Sequence, residues 1–312
     1  MTLMTRRSLM GGLLSGVLAL PTAAAPFTRT EVRASGLIFP VLLWGEDPAP
    51  PVMLLHGFPQ DPFTWRPVAE RLAVAGYQVI VPFLRGYAPG NRFAPYTYSQ
   101  FASDCLEIAD VLGVGQFDVA GAGTGAALAW ILAGYHPERV RSVASVLFPH
   151  PAALAYACGQ DPRSKQQWLT AQQRLGAADP RRHATELLAA DAAGLKLLLS
   201  AAHLPEFFVR RYLQRMRDPE ALAAALSWYS AVTLEEFAWV PMVEMPALLL
   251  WGKGAHLPRL AANATKGCVG GWLMEVEVPS DAESVLESSP SSVTHPLLTW
   301  LRTLAAPRGT AV

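Results

Sequence analysis

Charge is scarce in this 312-residue chain and has no excess sign: charged residues make up 16%, with 25 Lys plus Arg against 25 Asp plus Glu. A balanced surface has no field to gather a phosphate backbone or an anionic bilayer, so nucleic acid is not an expected partner. Cysteine is equally sparse. Cys105, Cys158 and Cys268 are odd in number and in no metal-ligand spacing, which argues against a disulfide scaffold or a structural metal site. Cys105 falls within a helical pattern and reads as core. Cys158 and Cys268 would have the chance to pair only in an exported protein, and buried free thiols are the plainer reading. No metal and no cofactor is called for by any motif, and internal repeats and low-complexity tracts are lacking. A run of roughly 20 apolar residues, the length that crosses a bilayer, is missing too.

What is present is apolar substance: 51% of residues are hydrophobic, enough for one large core or for a core with a small inserted domain. At the N-terminus, Thr5-Arg6-Arg7-Ser8-Leu9-Met10, an apolar run to Leu20 and then Pro21-Thr22-Ala23-Ala24-Ala25-Pro26 resemble a twin-arginine signal over residues 1–25, cleaved after Ala24. Export to the periplasm or beyond is therefore expected, with no stable membrane insertion after cleavage. A retained anchor is the weaker alternative, because the run is short.

Beyond the signal, strand-length apolar runs alternate with helix-length segments, the pattern of a mostly parallel sheet covered on both faces. The expected strands are Leu37–Trp44, Val52–Leu55, Gln78–Phe83, Phe117–Ala120, Val140–Phe148, Ala247–Trp251 and Trp272–Val278. Helices are expected at Trp65–Ala75, Tyr98–Leu112, Thr124–Tyr135 and Ser292–Leu304. From Pro149 to about Met245 the strand signal stops, and helical segments take over at Ser164–Leu175, Pro180–Ala192, Ala193–His203, Pro205–Arg217 and Pro219–Ala231. This divides the chain into a core, 26–149 and 246–312, and an inserted helical domain, 150–245.

The most informative stretch is Phe117-Asp118-Val119-Ala120-Gly121-Ala122-Gly123-Thr124-Gly125, an apolar strand passing through glycines straight into an apolar helix. With His56-Gly57-Phe58-Pro59, Arg85-Gly86-Tyr87 followed by Pro89-Gly90, and His136-Pro137-Glu138-Arg139-Val140, it resembles the α/β-hydrolase superfamily. Pro149-His150-Pro151 and Leu226-Ser227-Trp228-Tyr229 sharpen the likeness to capped epoxide hydrolases and their dehalogenase-like relatives. The fold implied is a mostly parallel central sheet flanked by helices, with the helical insertion as a cap.

That resemblance implies an oxyanion hole from the backbone N–H groups of Phe58 and Thr124, with His56 supporting the loop. It also implies a triad, and there the chain departs from the pattern. Gly123 stands where the nucleophile belongs, Ala255 at the acid position after Trp251-Gly252, and Glu283 at the base position after Val278-Pro279. Nor does Phe83 match the Asp usually found before the Arg-Gly pair. In a serine protease, removing such a triad lowers turnover about a million-fold and leaves only about 10³–10⁴ over water, so covalent hydrolysis is not expected. A glycine at the elbow would also relieve a strain of about 1–3 kcal/mol.

Two side chains remain as acid–base candidates. Tyr229 matches the cap tyrosine that donates to the opening ring oxygen in epoxide hydrolases, although it reads equally as a core aromatic of the cap, as does Trp228. Glu283 would act as a base if desolvated in the pocket, but a solvated loop carboxylate beside Asp281 is the plainer reading. His56, Asp61, Trp168 and Trp228 are candidate pocket-lining residues; for Asp61 a turn role before Pro62, and for Trp168 ordinary packing, are favoured. Three functions follow: non-covalent cyclisation, elimination or isomerisation of an apolar small molecule; ligand binding without catalysis; or hydrolysis with repositioned groups such as Thr124 and His256.

Overall fold

The computed structural model describes residues 25–176, 178–202, 204–252, 258–278 and 284–305. Nearly all of the expected signal, and the positions Ala255, His256, Asp281 and Glu283, lie outside the described residues.

Eight strands form one sheet: β1 (Phe27–Ala34), β2 (Leu37–Trp44), β3 (Pro51–Leu55), β4 (Gln78–Pro82), β5 (Phe117–Ala122), β6 (Val140–Val146), β7 (Ala247–Gly252) and β8 (Leu273–Val278). Their spatial order is β1-β2-β4-β3-β5-β6-β7-β8, with β2 antiparallel to both β1 and β4 and every later pairing parallel. Strands β5 and β7 are buried along their whole length, as a sheet covered on both faces requires. Helices α1 (Arg66–Val74), α2 (Tyr98–Val111) and α3 (Thr124–Tyr135) follow β3, β4 and β5. In α3 every residue from Thr124 to Ala133 is buried, so a helix apolar all round is used as a core helix.

Between β6 and β7 the described residues form six helices: α4 (Pro151–Gln160), α5 (Pro162–Leu175), α6 (Pro180–Ala201), α7 (Glu206–Met216), α8 (Pro219–Ser230) and α9 (Leu234–Ala238). The chain then continues through α10 (Arg259–Ala264), α11 (Val285–Ser288) and α12 (Ser291–Ala305). Among the described residues no helix is long and apolar enough to cross a membrane.

The expected strands and main helices are present with ends shifted by a residue or two, and the differences have local causes. Strand β1 is unforeseen because Phe-Thr-Arg-Thr-Glu-Val-Arg-Ala buries only Val32 and Ala34, a weak signal typical of an edge strand. Strand β6 ends at Val146, since Leu147 takes a φ of +58° and turns the chain out of the sheet. The two helices expected across 180–203 form one span broken at its middle: Ala189 is extended, and Ala190, Asp191 and Ala192 have φ of 49, 57 and 60°. Helix α4, also unforeseen, starts where His150 Nδ1 accepts from Ala152 N and Pro151 supplies a preset first turn. Cys105, Cys158 and Cys268 are free thiols, so Cys158 and Cys268 do not pair.

Candidate functional site

The turn between β5 and α3 is built by two glycines that have no alternative. A Cβ on Gly121 would run into the Gly125 carbonyl, and one on Gly125 into the carbonyl oxygens of Leu55 and His56. Gly123 between them is different. It is exposed, with φ +56° and ψ −126°, and a Cβ there would meet only Gly57 Cα, at 3.9 Å. Crowding forces glycine on its neighbours, whereas at Gly123 only the backbone conformation favours it.

The segment from His56 to Asp61 leaves the end of β3 and lies against this turn. Gly57 allows the approach, since a Cβ on it would stand 2.8 Å from Ala122 O and 3.3 Å from Thr124 N. Two backbone N–H groups, of Phe58 and Thr124, therefore come from adjoining segments, and among the described residues neither donates to a protein acceptor. Thr124 N also opens α3, where the helix end carries partial positive charge.

His56 does not face an open pocket. Its ring is fully buried, accepts from Leu84 N at Nε2 (3.3 Å) and lies 3.0 Å through Nδ1 from Gly57 O, the pattern of a neutral imidazole donating from Nδ1. Burial lowers its pKa to about 4, so it stays neutral at physiological pH and supports the loop.

Tyr229, near the end of α8, sets its ring edge-on to Phe58 with centroids 5.9 Å apart, which brings this phenol beside the loop. Its neighbour Trp228 points elsewhere. That indole is 1% exposed, stacks on Phe101 at 3.7 Å and donates to Arg85 O at 2.8 Å, so it joins α8 to the core instead of lining a pocket. Arg85 is itself fixed by a buried bidentate pair with Asp104, at 2.6 and 2.7 Å. Trp168 is likewise buried and packs on Phe237.

Asp61 also differs from a pocket-mouth residue. Its carboxylate is 1% exposed, caps the short turn Pro62–Trp65 by accepting from Phe63 N (2.9 Å), and pairs with Arg211 (2.9 Å) and Arg215 (3.1 Å) of α7. Beside it, Glu287 Oε1 accepts from Thr64 Oγ1 (2.8 Å) and Tyr212 OH (2.6 Å), while among the described residues its buried Oε2 makes no hydrogen bond of ordinary geometry. Burial raises the Glu287 pKa, offset only in part by Tyr212, Thr64 and Gln60. Arg211, Tyr212, Arg215 and Glu287 escape a reading of the sequence, although one signal was there: arginines on the face of an amphipathic helix that also carries the buried Tyr212 and Met216.

Among the described residues no group of three or more His, Cys, Asp or Glu is placed to hold a metal. The profile of the alpha/beta hydrolase fold matches residues 50–261. The chain belongs to the α/β-hydrolase family.

Two relatives of this α/β-hydrolase match it over most of the chain. The AB hydrolase superfamily protein YfhM of Bacillus subtilis (strain 168) is 29% identical over 284 residues, covering 87% of this chain and 96% of that protein. Epoxide hydrolase 4 of Homo sapiens is 27% identical over 288 residues, 86% of this chain and 76% of that protein. In structure, epoxide hydrolase A of Mycobacterium thermoresistibile superposes with a TM-score of 0.72 at 22% identity, over 89% of this chain and 98% of that one. The last likeness shows the fold alone. Within this epoxide-hydrolase-like α/β-hydrolase, the β5–α3 turn and the His56–Asp61 loop together form the candidate site.

Proposed function

We propose that this α/β-hydrolase binds an apolar small molecule over the β5–α3 turn, beneath α4–α9 as a cap, and transforms it without a covalent enzyme intermediate. Gly123 carries the proposal: at the centre of the turn there is open space and no side-chain atom that can attack. What remains there suits charge stabilisation. The N–H groups of Phe58 and Thr124 supply two donors to a developing oxyanion, and Tyr229 beside Phe58 supplies an O–H to the same oxygen or to a leaving one. Glu283 is proposed as the base, and Ala255 as a position from which a triad acid is missing. The reactions that fit are cyclisation, elimination and isomerisation, which move a proton and need no nucleophile.

Product mass tests the reading. Incubated with a panel of apolar epoxides, esters and enolisable ketones, the protein is expected to yield products isomeric with the substrate or lighter by a small neutral molecule. Y229F and E283Q are expected to abolish such turnover; unchanged rates in both variants would sink the proposal.

The names of the epoxide hydrolase relatives favour a second reading, hydrolysis by repositioned groups. Thr124, next to Gly123, would then be the nucleophile and His256 its base. Products heavier by one water, lost in both T124A and H256A, would establish it. Recovery of a bound compound chemically unaltered, with no turnover, would instead identify a carrier or sensor.

A further inference from the structure

Helix α7 meets the site loop through two carboxyl groups treated very differently. Asp61 is satisfied by the Phe63 amide and two arginines, with Arg215 also donating to the Tyr87 carbonyl. Arg211 and Arg215 lie over the rings of Phe63 and Phe83 at 4.7 and 5.0 Å, so both cations are already engaged. Among the described residues Glu287, on α11, pairs with no cation. It faces Tyr212 from α7, Thr64 from the Pro62–Trp65 turn and Gln60 from the loop, and among the described residues its buried Oε2 makes no hydrogen bond of ordinary geometry.

We infer that α7 is a latch set by one proton: it holds the cap on the His56–Asp61 loop while Glu287 is neutral, and loosens when Glu287 ionises. An uncharged carboxyl can remain buried with two donors on one oxygen. A carboxylate in the same place, without a counter-ion and with an oxygen unsatisfied, is unstable until water or Arg211 reaches it. Either event draws α7 away from the Pro62–Trp65 turn. Because Gln60 and Asp61 follow Phe58-Pro59 directly, loosening α7 also frees the Phe58 N–H from its place against Thr124.

Tyr212 and His56 hold their charge state at this contact. Burial keeps the Tyr212 phenol far above its usual range, and His56, lowered to about 4, is neutral above that pH. Asp61 remains paired with Arg211 and Arg215. Among the described residues at this contact, Glu287 is the carboxyl whose ionisation burial displaces to higher pH.

The latch goes beyond the proposed chemistry and is read without substrate, so a failed turnover screen leaves it untouched. Hydrogen exchange of the full chain, followed by mass spectrometry between pH 6 and 9 and corrected for intrinsic rates, tests it. Protection in peptides covering Glu206–Met216 and residues 56–65 is expected to fall about tenfold with rising pH, while α3 stays constant. E287Q is expected to remain protected throughout, and Y212F to start less protected at pH 6 with a smaller step. A flat wild-type profile, or the same step persisting in E287Q, overturns the inference; should E287Q fail to fold, an undiminished step in Y212F does so.

Discussion

At Gly123 a side chain would find room but an unfavourable backbone. Gly123→Ala is therefore expected to fold, with stability lowered by about 1–3 kcal/mol in urea unfolding, a strain penalty without a clash. Restoring the attacking atom is a different matter. Gly123→Asp and Gly123→Ser are expected to show no epoxide or ester hydrolysis if, as proposed, Ala255 and Glu283 occupy the triad's acid and base positions and so offer a new side chain neither that acid nor an imidazole. Hydrolysis comparable to that of an intact family member in either variant would show that a base stands within reach. His56 presents the converse case, a residue chemically capable of catalysis whose two ring nitrogens are both taken up by backbone groups.

Among the elements, the β5–α3 junction depends on Gly121 and Gly125 in a way that it does not depend on Gly123. Gly121→Ala and Gly125→Ala each drive a methyl group into backbone carbonyls, so both are expected to yield little soluble protein where Gly123→Ala yields normal amounts. This contrast also marks how far the sequence could be read. Apolar strands and the two forced glycines have short-range signatures, so β5, α3 and the loop beginning at His56 were visible from local pattern alone. Strand β1 was not, because an edge strand buries so little. The partners of Asp61 were hidden for another reason: Arg211 and Arg215 lie about 150 positions away, and only the folded packing of α7 brings them together. Trp228 and Tyr229 show the limit most plainly. Adjacent in sequence and both open to a core reading, they diverge because successive positions on a helix face different neighbours.

For the whole molecule, three buried groups give stability a predictable dependence on pH. His56 and His150 have pKa values lowered by burial from 6.5 to about 4, so the unfolded chain binds more protons and the stability they support is lost as pH falls from 6.5 toward 4. Glu287 is shifted upward, so its contribution is complete below the usual carboxylate value of 4.5 and declines as pH rises. Melting temperature is expected to fall as pH drops from 6.5 toward 4, with E287Q reducing the loss that sets in as pH rises above 4.5 and leaving the histidine limb intact; an unaltered loss at rising pH in E287Q would show that other groups govern it. The break in α6 has a consequence for engineering. Three successive non-glycine residues there hold a left-handed backbone, each at about 1–2 kcal/mol, and the ion pairs of Asp191 with Lys196 and Arg217 are exposed and return little. Ala190→Gly should raise thermal stability without touching the catalytic region, making this bend a natural starting point for hardening the protein against heat.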